Sequence, residues 1–262
     1  MLKRYILSVG LLATAPAMAE EREFCANRPG LNTPACTLAP GDAMVEVGLA
    51  EWDHDSDALS VTDAIVLGDV TLRLGIDQRT EAFVGFTPYV RERVRDRVSG
   101  AEAKAASTGD VTLGLRHGLA GPNGPVAVQA YAALPVGKAP GGAGTWSAGL
   151  ALPIGHELPQ GFQLALTPEL DLAANGSGSG RHLAYGSAIG LSHPLGASVS
   201  LTVEAAVIRD DDPAGHATNA LAAASLAWQV ARDFQLDLEV DKRLAGGVPG
   251  HAVMFGFAKR LR

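Results

Sequence analysis

Residues 109–137 read GDVTLGLRHGLAGPNGPVAVQAYAALPVG, and the same five letters, GDVTL, open an earlier run at Gly68. In both copies Val and Leu alternate with Asp and Thr, which is the period of a β-strand with one apolar and one polar face. A turn rich in Gly, Pro or Asp and a second alternating run follow each copy. The repeat therefore predicts a chain built from successive β-hairpins.

Alternating runs of this kind continue to the C-terminus, and no segment after Gly41 shows the period of a helix. Twelve runs lie near residues 43–53, 64–77, 81–94, 107–119, 125–137, 144–156, 161–173, 182–193, 197–209, 217–230, 233–243 and 251–261. The pattern predicts an all-β chain.

The links between the runs alternate in length. Tight turns at 77–80, 121–124, 158–160, 194–196 and 231–233 alternate with longer polar links at 54–63, 95–106, 138–143, 175–181, 210–216 and 245–250. Short turns on one rim and long loops on the other are typical of an outer-membrane barrel. We predict a single antiparallel up-and-down transmembrane β-barrel of about 12 strands, with short periplasmic turns and longer extracellular loops. A soluble periplasmic β-protein would show the same alternation and is the alternative.

The first nineteen residues, MLKRYILSVGLLATAPAMA, have the features of a cleaved signal peptide. Lys3 and Arg4 precede an apolar stretch that is too short for a transmembrane helix, and Ala17 and Ala19 form a small-residue cleavage pattern. We expect an exported protein with three parts: the signal peptide (1–19), an N-terminal segment (20–40) and the barrel (41–262).

Both cysteines, Cys25 and Cys36, lie in the N-terminal segment, in CANRPGLNTPAC. In an exported protein this pair predicts one disulfide that closes a small loop, and two thiolates without a nearby His are a poor metal site. The disulfide-bonded segment could fold into the barrel as a plug, cap it from outside or form a periplasmic tail.

The polar faces of the strands carry charges of both signs, which a barrel could direct into a wet interior. We predict that the following residues line the lumen: Asp69, Arg73, Asp110, Arg116, Glu169, Asp171, Glu204, Asp237, Glu239 and Asp241. They could form a polar path that favours cations or neutral solutes. Alternatively, they could pair with one another and fill the barrel, because twelve strands fall between filled and open barrels.

No catalytic, metal-binding or cofactor-binding site is predicted. His117, His156 and His193 fall beside the short turns, at the expected membrane interface, and the sequence has no G-x-S-x-G motif. The acidic run at 210–212 lacks the spacing of a calcium loop. The chain has 21 Lys+Arg against 28 Asp+Glu, and removal of the signal peptide makes it more acidic still, which argues against nucleic-acid binding.

The stretches GDVTLRLGID and GDVTLGLRHGLAG, with the run that ends in ALPVGK, resemble the β-barrel family of the MetA-pathway of phenol degradation. The similarity extends from about Gly41 to the C-terminus. It implies an outer-membrane transporter for small, aromatic compounds, but it supplies no defined set of binding residues. The chain departs from the usual barrel pattern at its end, AVMFGFAKRLR, because no aromatic residue is terminal.

We therefore expect a channel for passive passage of small solutes. Its partners would be outer-membrane lipid, the barrel-assembly machinery and the solutes; the oligomeric state is left open. The alternatives are a non-conducting structural barrel and a membrane-embedded lipid-modifying enzyme.

Overall fold

A computed structural model describes residues 22–247 and 250–261, so the predicted signal peptide lies outside the described residues. The strands are β1 (Ala43–Ser56), β2 (Ser60–Gly75), β3 (Thr80–Phe86), β4 (Tyr89–Asp96), β5 (Glu102–Ser107), β6 (Val111–Gly118), β7 (Ala127–Leu134), β8 (Ser147–Ala151), β9 (Ile154–Glu157), β10 (Gln163–Ala174), β11 (Arg181–Pro194), β12 (Val199–Asp210), β13 (Ala217–Ala231), β14 (Phe234–Ala245) and β15 (His251–Leu261). One short 3-10 turn, Pro159–Gly161, interrupts them. The described residues contain no helix that is long and apolar enough to cross a membrane.

The strands form one closed antiparallel barrel. β1 pairs with β2 on one side and with β15 on the other, and the closing ladder begins at Ala43 opposite Leu261. Three barrel strands are interrupted and count as one each: β3 with β4, β5 with β6, and β8 with β9. The barrel therefore has twelve strands, as the alternating runs predicted.

Two links that the sequence suggested as long loops are largely strand. β1 and β2 leave only residues 57–59 between them, and β4 and β5 leave only 97–101. In the second case the alternation of YVRERVRD continues past the predicted end of the run, and β2 supplies a paired edge as far as Ser60 opposite Asp96. The hairpins on this side, hereafter the long-loop rim, thus extend further than expected.

The apolar face of the barrel points outward. Leu72, Leu74, Leu113 and Leu115 expose 43–52% of their surface, whereas Arg73 and Arg116 on the other face are buried. This arrangement reverses the usual burial pattern of a soluble protein. It is the arrangement expected of a barrel whose outer surface meets lipid.

The two faces exchange along β2 at Gly68. Leu67 and Leu72 are both exposed although an odd number of positions separates them. Gly68 has φ +71°, a conformation that favours glycine, and a break between β3 and β4 lies beside it, at residues 87–88. Beyond this break Ile65 and Leu67 point outward.

The repeated GDVTL segments lie on either side of β3. Thr71 and Thr112 both pair with Gly85, and Leu72 and Leu113 both pair with Val84. The two copies therefore run in the same direction, one on each neighbour of β3, as a hairpin repeat requires.

The N-terminal residues 22–40, hereafter the inner segment, lie within the barrel. Their side chains and amides bond to inward-facing residues of strands on opposite sides, from Glu81 on β3 to Glu204 on β12 and Asp237 on β14. Since the barrel is closed, contacts with all these strands place the segment in the lumen. It rejoins the wall at the short-turn rim, where the Gly41 amide donates to the Gly75 carbonyl at 2.9 Å.

Candidate functional site

A buried ion cluster fills the lumen near the short-turn rim. Arg73 donates two hydrogen bonds to Glu81, at 2.9 and 3.0 Å, and a third to Glu46 at 2.7 Å. Arg116 lies 3.4 Å from Glu81 and donates to Gln129 at 2.9 and 3.0 Å. Arg73 contacts two carboxylates, and Arg116 contacts one carboxylate and one amide oxygen; these partners offset the cost of burying the two positive charges. Side chains fill this part of the lumen.

The same arginines hold the base of the inner segment. Arg73 donates to the Cys25 carbonyl at 2.7 Å, and Arg116 donates to the Cys36 carbonyl at 3.2 Å. Cys25 and Cys36 form the predicted disulfide. The bridged loop is thus attached to the wall at both of its ends.

Three carboxylates deeper in the lumen bind the tip of this loop. Glu204 accepts hydrogen bonds from the amides of Leu31 and Asn32, at 2.8 and 3.0 Å, and from the Asn32 side chain at 2.8 Å. Glu239 accepts from the Gly30 amide at 2.7 Å. Asp237 forms an ion pair with Arg28 of the inner segment, at 3.0 Å. The loop tip is therefore held by hydrogen bonds and one ion pair to carboxylates of two wall strands, β12 and β14.

The half of the lumen beyond this loop, toward the long-loop rim, presents further carboxylates. The Tyr131 hydroxyl oxygen lies 2.5 Å from a carboxyl oxygen of Glu169 and 2.5 Å from one of Asp171, so its single proton bonds to one of them at a time. Asp241 follows Glu239 on the inward face of β14, and one of its oxygens is buried without a hydrogen bond from the described residues. A solute that enters here meets a wall rich in acidic side chains.

Two predicted lumen residues stabilise the breaks in the wall. Asp69 accepts the hydroxyl of Thr87 at 2.7 Å, at the break between β3 and β4. Asp110 accepts the amides of Gly137 and Ala143, at 2.9 and 2.8 Å, and so holds the loop between β7 and β8. The Asp of each GDVTL copy therefore orders neighbouring backbone.

A cavity of about 440 Å³ separates the inner segment from one side of the wall. Its lining comprises residues 33–36 of the inner segment, the short turn at 123–125, β9, residues 163–165 of β10, and Gly190, Ser192 and Thr202. Several inward-facing positions here are small, among them Gly155, Gly190 and Ser192, which leaves this space between the wall and the inner segment. The cavity is within the range of small-molecule sites and lies beside the loop that the carboxylates hold.

Several residues of this arrangement were missed from the sequence. Glu46 and Glu81 complete the ion cluster, Arg28 bonds to the wall, and Tyr131 bridges two carboxylates. Glu46 alternates with Val45 and Val47, so its inward direction was available from the period. The partners of Arg28 and Tyr131 could not be identified from the period, because those contacts join distant parts of the chain.

The histidines and the acidic loop stand apart from the lumen cluster. His117 bonds to the Thr80 hydroxyl at 2.9 Å, and the His193 ring packs against Phe162 at a tilt of 49°, with ring centroids 4.3 Å apart. Asp212 accepts the amides of Gly176 and Ala214, and these hydrogen bonds lower its pKa. Among the described residues, no group of three or more His, Cys, Asp or Glu side chains could hold a metal ion.

A family profile for "Putative MetA-pathway of phenol degradation" matches residues 26–261. The chain belongs to this family. The match includes both GDVTL segments and begins within the inner segment. No curated protein matches the sequence.

Solved structures of similar architecture support the fold of this member of the phenol-degradation family. The COG4313 outer membrane channel from Pseudomonas putida F1 superposes with a TM-score of 0.69 at 15% identity, over 89% of this chain and 99% of that one. The translocator domain of the autotransporter NalP from Neisseria meningitidis gives 0.55 at 14% identity, over 86% of this chain and 90% of that one. The β-domain of the Bordetella autotransporter BrkA superposes with a TM-score of 0.54 at 14% identity, over 86% of this chain and 100% of that one. At these identities the likeness is one of fold.

Proposed function

We propose that the protein is an outer-membrane channel that passes small solutes passively, and that the inner segment controls the passage. The carrying observation is the cavity between the inner segment and the wall of β9–β12, inside a closed barrel with an apolar outer face. The ion cluster closes the opposite side of the lumen, so this space is the way past the segment. The solute enters from the long-loop rim, which faces the cell exterior, and leaves at the periplasmic short-turn rim.

Small aromatic compounds are the solutes that we propose. The family description links these proteins to phenol degradation, and one similar barrel is described as an outer-membrane channel. The cavity combines apolar surface from Pro34, Ala35 and Pro125 with the polar groups of Gln163 and Ser192. A planar compound with one hydroxyl group suits such a lining, whereas the carboxylates above it would repel anions.

Export by the signal peptide and insertion by the barrel-assembly machinery complete the proposal. The last strand, β15, pairs with β14 and β1. The assembly machinery would recognise this strand with Leu261 near its end, at a position where an aromatic residue is common in other barrels.

Conductance in planar bilayers tests this function. The folded protein should carry a small current, and removal of residues 20–40 should raise it, because the segment occupies the lumen. Folding is checked by the heat-dependent migration of the barrel on gels. If folded protein with and without the segment carries no current, the channel is refuted and the structural barrel is favoured.

A further inference from the structure

The outward face of the β4–β5 hairpin carries a group of basic residues that the channel does not use. Directly opposite residues in an antiparallel ladder share a face. Arg91 lies opposite the outward-facing Ile65, and Arg93 and Arg95 follow at alternate positions. Lys104 on β5 lies opposite Arg93. These four side chains therefore project from the outside of the barrel.

Their height places them at the edge of the lipid-facing band. From Thr80 to Tyr89 the strand extends about 30 Å at ~3.3 Å per residue, or about 23 Å along the barrel axis at the usual tilt. The apolar band of such barrels is about 25 Å tall. Arg91 is the next outward residue after Tyr89, so the basic group begins where the hydrocarbon ends.

The strand register shows the same boundary on the neighbouring strands. Outward residues that lie directly opposite one another form rows across these strands. One row is apolar from β14 to β2, and the next row toward the long-loop rim is polar. The lower row is Val240, Val253, Trp52, Ile65 and Arg91, and the upper row is Lys242, His251, His54, Asp63, Arg93 and Lys104. The lower row exposes its apolar members by 38–45%. The polar row thus spans six strands, about 24 Å at ~4.8 Å per strand, and it adjoins a lipid-exposed apolar row on four of them.

The charge of this face is unlike that of the whole chain. The chain carries a formal net charge of −7, yet this face carries Lys242, Arg91, Arg93, Arg95 and Lys104 against Asp63 and Glu102. Glu102 pairs with Arg93 and Lys104, and Asp63 pairs with His54 at 2.9 Å. Within the described part of the chain, Arg91 and Arg95 have no hydrogen bond or ion pair. Two guanidinium groups are free for an external anion.

We infer that this face, the β4–β5 basic face (Arg91, Arg93, Arg95 and Lys104), binds the phosphate groups of the phosphorylated glycolipid in the outer leaflet, lipid A. Arginine binds phosphate through paired N–H groups, and the acyl chains of the same lipid would lie on the apolar row below. One lipid molecule would then contact the basic residues with its phosphates and the apolar row with its acyl chains. The inference rests on the proposed outer-membrane location but is independent of conduction.

Native mass spectrometry of the folded chain in detergent tests this inference, with lipid A as the probe. Bisphosphorylated lipid A should bind about tenfold or more tightly than dephosphorylated lipid A, because the phosphates supply the charge-assisted contacts. The variant R91Q/R95Q should lose about tenfold in affinity for the bisphosphorylated lipid. These two arginines have no partners to lose among the described residues, so the barrel should fold normally, as heat-dependent gel migration would verify.

The control variant is R181Q/R209Q, which removes the same charge at the ends of β11 and β12 near the long-loop rim, away from the basic face. Its affinity should stay within about twofold of the wild type. Equal binding of the phosphorylated and dephosphorylated lipids overturns the inference, as does an unchanged affinity in R91Q/R95Q. Self-association of the chain through this face in place of lipid binding also overturns it. Conductance would be unaffected by any of these outcomes, so the channel proposal stands or falls separately.

Discussion

Glu204→Gln should release the tip of the inner segment while the barrel remains folded. The carboxylate accepts three hydrogen bonds from Leu31 and Asn32. Glutamine keeps the oxygen that accepts from Asn32 but places an amide NH₂ opposite the Leu31 amide. One hydrogen bond is therefore lost, and the other two become bonds to a neutral acceptor. Bonds to a charged acceptor contribute about 1.5–3 kcal/mol and neutral ones about 0.5–1.5 kcal/mol.

By these figures the change removes about 4–5 kcal/mol before solvent is considered. Water in the lumen can replace more than half of it, which leaves about 2 kcal/mol, or roughly a 30-fold rise in the detached population. Amide hydrogen exchange in detergent measures this population directly. Exchange at Leu31 and Asn32 should accelerate by about that factor, and bursts of higher current should become more frequent in single-channel records.

Asp241→Asn is the matched control. It removes another lumen carboxylate of similar size, but Asp241 makes no hydrogen bond to the inner segment among the described residues. Exchange at Leu31 should then stay near the wild-type rate. The reasoning is refuted if both variants exchange alike, or if amides of β11 and β13 accelerate as much as those of the tip, which would mean that the barrel itself had opened.

Three further predictions concern the cavity, the disulfide and the ion cluster. Gly155→Phe should fill the cavity and reduce conductance severalfold, since a Cβ there meets no atom within 4 Å; Gly196→Phe, equally unobstructed but in a short turn, should leave the current unchanged. Reduction of Cys25–Cys36 should weaken the inner segment by about 3 kcal/mol of loop entropy and raise conductance, and a current insensitive to reductant would contradict this. Arg73→Met should cost about 3–5 kcal/mol because it leaves Glu46 buried without its cation and Glu81 with only Arg116, and an unchanged temperature for the gel-mobility transition would argue against the cluster's role.

The sequence alone predicted the twelve-stranded barrel. Strand period follows from local chemistry, because each side chain alternates between faces whatever the rest of the chain does. The GDVTL copies at Gly68 and Gly109 therefore predicted parallel-running strands separated by one other, and the structure places them on either side of β3. The disulfide was predictable for a similar reason, since only two cysteines exist.

Local breaks in the period were harder to predict. The exchange of faces at Gly68 depends on a positive φ and on an adjacent break at residues 87–88, and neither alters the composition of the run. As a result, the direction of Arg91 and its neighbours became clear only from the strand register. Asp69 and Asp110 were predicted on the polar face, but their bonds to backbone and hydroxyl groups could not be anticipated.

Only the tertiary structure decided where the inner segment lies and which charges hold it. The sequence left a plug, a cap and a tail open, because residues 20–40 have no period of their own. The segment's partners, Glu204, Asp237 and Glu239, lie some 170 to 210 positions away and come together only when β1 pairs with β15. Closure of the barrel depends on pairing between residues that are far apart in the chain. Local sequence was therefore enough to predict the strands of the wall, whereas the position of the inner segment depends on closure.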